Sequence, residues 1–226
     1  IANGTLSNVS TADGGITWTA TITPSISIVD PTNLITLANT GVQDLAGNDG
    51  TGSTDSNNYA VSTVRPTASI SLGSSALNSG SSTQVTITFS EAVTGLDLSD
   101  FSVQSGTLSS LSSNDGGVTW HATLTPDDGI EVSANHITLN NTGYQNSATN
   151  TGLGTTSSGN YAVDTLVPGV VITSNRSVLG GGQSATLTFT LSEASTGFSA
   201  ADVIVSGGTL SNFSGSGNVF TATFTP

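Results

Sequence analysis

The chain has 226 residues, a formal net charge of −13, two arginines as its only basic residues, and no cysteine. This shortage of positive charge excludes nucleic acid and anionic membrane surfaces as partners, because both require basic patches. The lack of cysteine excludes disulfides and thiol chemistry. No apolar run approaches the roughly 18 residues that a membrane span needs, so we expect no membrane insertion.

One stretch occurs three times along the chain, at 4–24, at 106–126 and, shortened, at 207–226. The first two copies lie 102 residues apart, and so do Glu91 and Glu193. A period of this length corresponds to one small domain rather than to a solenoid unit. The sequence therefore indicates that the chain is one part of a tandem array of repeats.

The period divides the chain into the back part of one repeat at 1–64, a complete repeat at 65–166 and the front part of a third at 167–226. By this division the first repeat lacks its first two strands and the third lacks its last two. Such repeats have unpaired edges and open cores. We expect the missing strands to come from a longer chain or from a neighbouring copy.

Apolar and polar residues alternate throughout the complete repeat, as at Val85, Ile87 and Phe89. Such alternation predicts half-buried strands. We expect seven of them, near 67–72, 83–90, 100–104, 107–112, 118–125, 136–140 and 160–164. Seven short antiparallel strands in one small domain indicate an all-β fold, with tandem immunoglobulin-like β-sandwich domains strung end to end.

Two local features refine this picture. Asp115-Gly116 lies between two alternating runs and predicts a two-residue hairpin turn with positive φ at both residues. The third repeat has two residues fewer at this place, so its hairpin should be shorter. Trp18 and Trp120 occupy inward-phased strand positions, and we expect both to anchor cores.

Catalytic residues are not grouped in any recognised pattern. The two histidines, His121 and His136, both lie in the middle repeat, and Thr19 and Leu34 stand at the matching positions of the first. No nucleophile elbow or triad context surrounds them. Two histidines without cysteine partners make no closed zinc site. The sequence therefore predicts that the chain is not an enzyme.

Four runs carry a resemblance to a known family: VQDLAGN at 42–48, NNYAVSTVRPT at 57–67, TFSEAVTGLDLSDF at 88–101 and DGGVTWHATLTP at 115–126. They resemble the bacterial Ig-like repeats of giant secreted adhesins, the type I-secreted and often RTX-tailed proteins of cell surfaces and biofilms. The resemblance implies a secreted, cell-surface location. It also implies that the repeats extend a terminal adhesive domain away from the cell, and that some of them bind calcium at domain junctions.

The resemblance and the composition are compatible with two functions. The first is a structural extender, an elongated stalk or filament whose partners are neighbouring repeats or copies of itself, with any surface or glycan ligand bound by domains outside this window. The alternative is a ligand-binding module that recognises glycan or a host or neighbour-cell protein through its end loops. Binding loops are rich in aromatic residues, whereas the long loop 143–159 contains only Tyr144. This composition favours the extender.

The acidic residues predict calcium at the second junction. Because successive strands alternate in direction, we expect the last strand of the middle repeat to end with Asp164 at that junction. Glu193 and Asp202 of the third repeat should lie at the same place. Three carboxylates with backbone carbonyls suit calcium, which takes six to eight hard oxygen ligands. The other interpretation is that these acids are solvated turn and cap residues.

The first junction offers Glu91, Asp97 and Asp100 as calcium ligands, but Ser62 stands where Asp164 stands in the next repeat. Arg65 replaces Val167, and we expect it to pair with Glu91 or Asp100 in place of a cation. The VQDLAGN motif is changed to YQNSATN in the middle repeat, which puts any role of Asp44 in doubt at Asn146.

Overall fold

The computed structural model describes residues 1–226, and its regular elements are strands apart from three short 3₁₀ helices. It divides into two compact units, residues 1–165 and 166–226. The first unit holds the strands β1 Gly4–Thr11, β2 Trp18–Pro24, β3 Val29–Asn33, β4 Thr36–Ala38, β5 Ser53–Asp55, β6 Tyr59–Ser62, β7 Ala68–Leu72, β8 Ala76–Asn78, β9 Thr83–Phe89, β10 Phe101–Val103, β11 Gly106–Ser113, β12 Thr119–Pro126, β13 Glu131–Asn135, β14 Ile137–Asn140, β15 Thr155–Ser157 and β16 Tyr161–Asp164. The second holds β17 Val170–Ser174, β18 Ala185–Leu191, β19 Thr209–Ser216 and β20 Val219–Thr225. Short 3₁₀ helices lie at Asn39–Gly41, Leu98–Asp100 and Ala200–Asp202.

The predicted all-β fold is confirmed. In the middle repeat all seven expected strands are present, and β8, β13 and β15 are additional. One sheet has the strand order β11-β12-β9-β7, and two three-stranded sheets have the orders β10-β14-β15 and β13-β16-β8. All pairs are antiparallel except β8 with β16, which run parallel.

The core of the middle repeat lies between these sheets. Alternate residues of β9, β12, β14 and β16 point inward, so Val85, Leu124, Leu139 and Tyr161 are fully buried. Phe89 and Tyr144 pack edge to face, with ring centroids 4.6 Å apart. Trp120 packs partly buried against this core, as expected. The Tyr161 hydroxyl donates to the carbonyl of Gln104 and ties the last strand to the start of the β11–β12 hairpin.

The hairpin between β11 and β12 differs from the two-residue turn predicted at Asp115-Gly116. Positive φ occurs at Gly116 and Gly117 instead, and the strands end at Ser113 and restart at Thr119. Asp115 acts through its side chain, which accepts hydrogen bonds from the backbone N–H groups of Val118 and Thr119. An aspartate bonding to the backbone ahead of it stabilises a longer loop. The shorter hairpin predicted for the third repeat is confirmed, since only residues 217–218 separate β19 from β20.

Residues 1–64 form the same strand pairs as their counterparts in the middle repeat, namely β1–β2, β3–β6 and β4–β5. No strand pairs with the second side of β2, where the middle repeat has β9. Trp18 is consequently 60% exposed, so the expectation that it anchors a core is wrong in this structure. Its indole N–H donates to the Gly15 carbonyl at 3.0 Å.

The second unit is a single four-stranded sheet in the order β17-β18-β20-β19. Its register matches the β7-β9-β12-β11 sheet, since Leu187 pairs with Ala222 as Val85 pairs with Ala122. Phe189, Leu191, Phe220 and Ala222 form a small core against the partly buried residues Leu187, Phe198, Val203, Leu210 and Phe213. The repeat bounds predicted at 64/65 and 166/167 stay predictions.

Candidate functional site

The linker between the first two repeats is held by the loop that follows β14. β6 ends at Ser62 and β7 begins at Ala68, so the linker is short. The Asn150 side chain donates to the Ser62 carbonyl at 3.0 Å, and Arg65 Nη1 donates to the Thr151 carbonyl at 2.8 Å and to its hydroxyl at 3.4 Å. These bonds join the last strand of one repeat to a loop of the next.

Asn146 is the centre of this junction. It is 3% exposed, and its amide nitrogen donates to the Val64 carbonyl and to Glu91 Oε1, each at 3.1 Å. Its amide oxygen accepts from the backbone N–H groups of Ala148 at 3.1 Å and Asn150 at 2.9 Å. An asparagine amide has two N–H donors and two acceptor sites, and here all four are used. Asn146 therefore links its own loop to the linker and to the end of β9.

The predicted ion pair of Arg65 with Glu91 or Asp100 is wrong. The guanidinium contacts Thr151, whereas Glu91 accepts its hydrogen bond from Asn146. The side chain of Asp100 accepts from the backbone N–H of Asp97 at 2.9 Å. Sequence reasoning could not find these partners, because Arg65 and Thr151 meet only through the folded loop.

The three predicted ligands of the first junction serve mainly local bonds. Asp97 and Asp100 form a reciprocal capping box around the 3₁₀ helix Leu98–Asp100, in which Asp97 accepts from Ser99 N at 2.7 Å. The hydroxyl and N–H of Ser99 hold the pKa of Asp97 below its usual value. The carboxylate of Asp100 also lies against Gly143, where any side chain would collide with it. Glu91 is engaged separately by Asn146.

The ligands predicted for the second junction belong to different units. Asp164 is an exposed residue at the end of β16, in the first unit. In the second unit, Asp202 Oδ2 accepts from the N–H and hydroxyl of Ser199 at 2.8 and 2.9 Å. Glu193 Oε1 is buried there without a hydrogen-bond partner. Whether these three carboxylates share a cation stays a prediction; no group of three or more acidic or histidine side chains that could hold a metal ion is found.

Asp44 occupies in the first repeat the position that Asn146 occupies in the middle one. Its Oδ1 accepts from Ala46 N and Asn48 N, each at 2.9 Å, which matches the bonds of Asn146 to Ala148 and Asn150. Its Oδ2 accepts from the Asn48 amide at 2.9 Å, and the Asn48 amide and N–H hold the pKa of Asp44 below its usual value. The shared Asp-or-Asn position with an asparagine four residues later was the sequence signal that could have identified Asn146.

The histidines lie apart from this junction. His121 lies on β12, and its Nδ1 is 3.3 Å from the Thr86 hydroxyl. The Nδ1 of His136 is 3.1 Å from the Ser158 carbonyl. The hydrogen-bond partner of each ring is a neutral group and not a carboxylate, whereas a catalytic base needs an orienting partner and a site for the reacting atom. No helix in the structure is long and apolar enough to cross a bilayer.

Comparisons with known proteins give one family along the whole chain. Residues 1–61, 62–163 and 164–226 each match the bacterial Ig-like domain. No curated protein has a significantly similar sequence. Among solved structures, the adhesin FdeC of Escherichia coli is 17% identical, with a TM-score of 0.39, over 99% of this chain and 73% of that one. The adhesin InvE of Yersinia pseudotuberculosis is 13% identical, with a TM-score of 0.31, over 70% of this chain and 51% of that one.

Proposed function

The chain belongs to the family of bacterial Ig-like domains, and on that premise we propose that it is an extender segment of a bacterial cell-surface adhesin or extracellular filament. Its repeats lie outside the cell and hold an adhesive domain away from the surface. Domains of this family are in general not enzymes, and the proposed role requires no catalysis. It requires length and stiff junctions.

The observation that carries this proposal is the short linker held by the loop of the following repeat. Flexible linkers leave domains free to reorient, and extensive contacts across a linker restrict them. Here Ser62, Val64 and Arg65 are each hydrogen bonded to residues of the loop 143–151. The contacts support a repeat-to-repeat connection that transmits orientation along the chain.

The alternative, ligand binding through the end loops, has less support. The single aromatic residue of the long loop, Tyr144, is 1% exposed. It packs on Phe89, and its hydroxyl donates to Asn141 at 3.1 Å. Aromatic side chains that anchor ligands must be available at the surface. A glycan-array screen of the chain is the direct check on this alternative, and reproducible binding would favour it over the extender.

The proposal includes calcium at the second junction, with Asp164, Glu193 and Asp202 as ligands. Glu193 supports it, because a buried carboxylate oxygen without a donor is costly and a cation would satisfy it. Calcium bound to the folded form stabilises it by mass action. Biofilm and filament assembly of the parent protein form part of the same proposal.

Small-angle scattering of the whole chain tests the extender. We expect a maximum dimension well above that of a globular particle of 22.4 kDa. A dimension close to the globular value contradicts the proposal.

Calorimetric calcium titration tests the metal separately, with Asp164→Ala as the variant and Asp55→Ala, at an exposed strand end of the first repeat, as the control. We expect binding that Asp164→Ala weakens and the control retains, together with a higher melting temperature in calcium than in chelator. Absence of both effects removes calcium from the proposal and leaves the extender to be decided by scattering.

A further inference from the structure

We propose that residue 146 determines whether the first junction needs a divalent cation, and that Asn146 makes this junction independent of one. The inference concerns the regulation of the proposed stalk and rests on the proposed function for its biological meaning. Its structural content concerns residues 1–165 alone.

Two oxygen atoms face Asn146 at this junction, one from the linker and one from the residue that follows β9 by two positions. The Val64 carbonyl and the Glu91 carboxylate are both acceptors, and neither can donate to the other. Bringing them together requires either N–H donors or a cation between them. The amide nitrogen of Asn146 lies 3.1 Å from each oxygen and supplies one N–H to each. A nitrogen donor therefore fills the place that a cation would otherwise take.

An aspartate at position 146 would place a carboxylate where the asparagine amide now lies. Asp44 shows that an aspartate at the matching position keeps the loop bonds, because it accepts from Ala46 and Asn48 as Asn146 accepts from Ala148 and Asn150. The second oxygen of Asp44 accepts from the Asn48 amide, whereas the matching amide of Asn150 donates to the Ser62 carbonyl. The second oxygen of an aspartate at 146 would therefore face the Val64 carbonyl and Glu91. Three oxygens without a shared proton repel one another, and hard oxygen ligands of this kind are the ones that calcium prefers.

The remaining contacts of this junction also need no metal. Asn150 donates to the Ser62 carbonyl and Arg65 donates to Thr151. Both are direct hydrogen bonds to the main chain. The junction with Asn146 is thus closed by donors from protein side chains alone, whereas the junction with an aspartate would lack two of these donors.

The experiment measures the spread of distances between the two repeats. The chain has no cysteine, so the exposed residues Ser53 and Ala134 can be changed to cysteine and spin-labelled without background. Electron–electron double resonance then gives the distance distribution in millimolar calcium and in chelator. The variants are Asn146→Asp, Asn146→Ala and, as the matched control in the first repeat, Asp44→Asn.

We expect the parent chain and Asp44→Asn to give one narrow distribution that is the same in calcium and in chelator. Asn146→Asp should lose the narrow distribution in chelator and regain it in calcium. Asn146→Ala, which has neither donor nor carboxylate, should be broad in both conditions.

Two results overturn the inference: a parent chain that is narrow only in calcium, or an Asn146→Asp variant that responds to calcium no more than the parent. Far-ultraviolet circular dichroism and tryptophan emission establish that each variant is folded. If the parent chain binds no calcium anywhere, the calcium part of the proposed function fails, and the Asn146→Asp comparison still decides this inference.

Discussion

The β7-β9-β12-β11 sheet and the β17-β18-β20-β19 sheet have the same strand order and register, but their outer strands β7 and β17 differ in burial. Ile70 on β7 is 9% exposed, whereas its counterpart Ile172 on β17 is 59% exposed. The middle repeat covers this face with β13–β16, and residues 166–226 contain no counterparts of those strands. Strand pairing is thus encoded within each sheet, while burial of the outer strand depends on the second layer.

The second unit covers part of its open face with its own aromatic side chains. Phe198 lies within 5.4 Å of Phe189 and of Phe213, centroid to centroid, and 5.2 Å from Phe220. The middle repeat has Leu96, Ile87, Leu111 and Trp120 at the corresponding positions. Phenylalanine rings bury large areas against one another. Residues 1–64 lack such a cluster, and an open cavity of about 370 Å³ borders Ile22, Ile35 and Val61.

Removing a core side chain should show the difference in burial most strongly. Leu124 is fully buried in the middle repeat, and its counterpart Ile22 is 37% exposed. We expect Leu124→Ala to lower the free energy of unfolding by about 2–5 kcal/mol, the usual cost of a buried cavity. Ile22→Ala should cost roughly 1 kcal/mol or less, as partly exposed positions do. Urea unfolding followed by Trp120 emission, in a Trp18→Phe background, measures the effect of Leu124→Ala. Urea unfolding followed by the methyl NMR signals of residues 1–64 measures the effect of Ile22→Ala. Equal effects would contradict the comparison.

Two hairpin glycines, Gly117 and Gly15, test the same difference in burial with a smaller expected effect on stability. Gly117 and Gly15 have φ of 98° and 96°. A side chain at 117 would collide with the Val93 carbonyl, whereas one at 15 has open space around it. The collision should therefore make Gly117→Ala more destabilising than Gly15→Ala by about 1–3 kcal/mol, the usual cost of inserting an atom into packed space, since both variants share the backbone strain. Paired urea curves of Gly117→Ala and Gly15→Ala check this, and similar midpoint shifts for the two would show that the Val93 contact is unimportant.

The smallest expected effect is a pH dependence shared by the first two hairpins and missing from the third. The backbone N–H of Thr119 lowers the pKa of Asp115 to about 2, and that of Thr17 lowers the pKa of Asp13 to about 2. Because the folded-state pKa is below the ordinary value of 3.8, the stabilisation is complete above pH 3.8 and is lost as the pH falls through about 2. Carboxyl carbon NMR titration should give both values directly. Asp115→Asn should remove this part of the acid sensitivity, and titration of Asp115 near 4 would contradict the prediction.

The longer strands were predictable because their signal is local. β9 was expected near 83–90 and runs from Thr83 to Phe89, and the deletion in the third repeat predicted its shorter hairpin. The strands β8, β13 and β15 were missed because they have three to five residues, several of them polar, and are held by partners far along the chain. The prediction of a two-residue turn at Asp115-Gly116 is wrong because the aspartate side chain, rather than its backbone conformation, organises the loop.

The candidate site was less predictable than the fold. The sequence identified the acidic residues near the junctions, but it could not reveal that Asp97 and Asp100 cap one another. The sequence predicts that Arg65 pairs with a carboxylate, whereas in the folded loop it donates to the Thr151 carbonyl. The change from Asp44 to Asn146 is visible in the sequence, but its meaning depends on the Val64 carbonyl and Glu91 that face it.

The parallel pair of β8 and β16 has a mechanical consequence for a chain under tension. β8 lies near the start of the middle repeat and β16 at its end, and Ala76, Leu77 and Asn78 pair in register with Ala162, Val163 and Asp164. Pulling the two ends of the repeat apart drives two parallel strands in opposite directions along their own axes. The hydrogen bonds between them are then loaded in shear and share the force, rather than opening one after another. This parallel pair therefore links the two ends of the repeat in the geometry that opposes their separation.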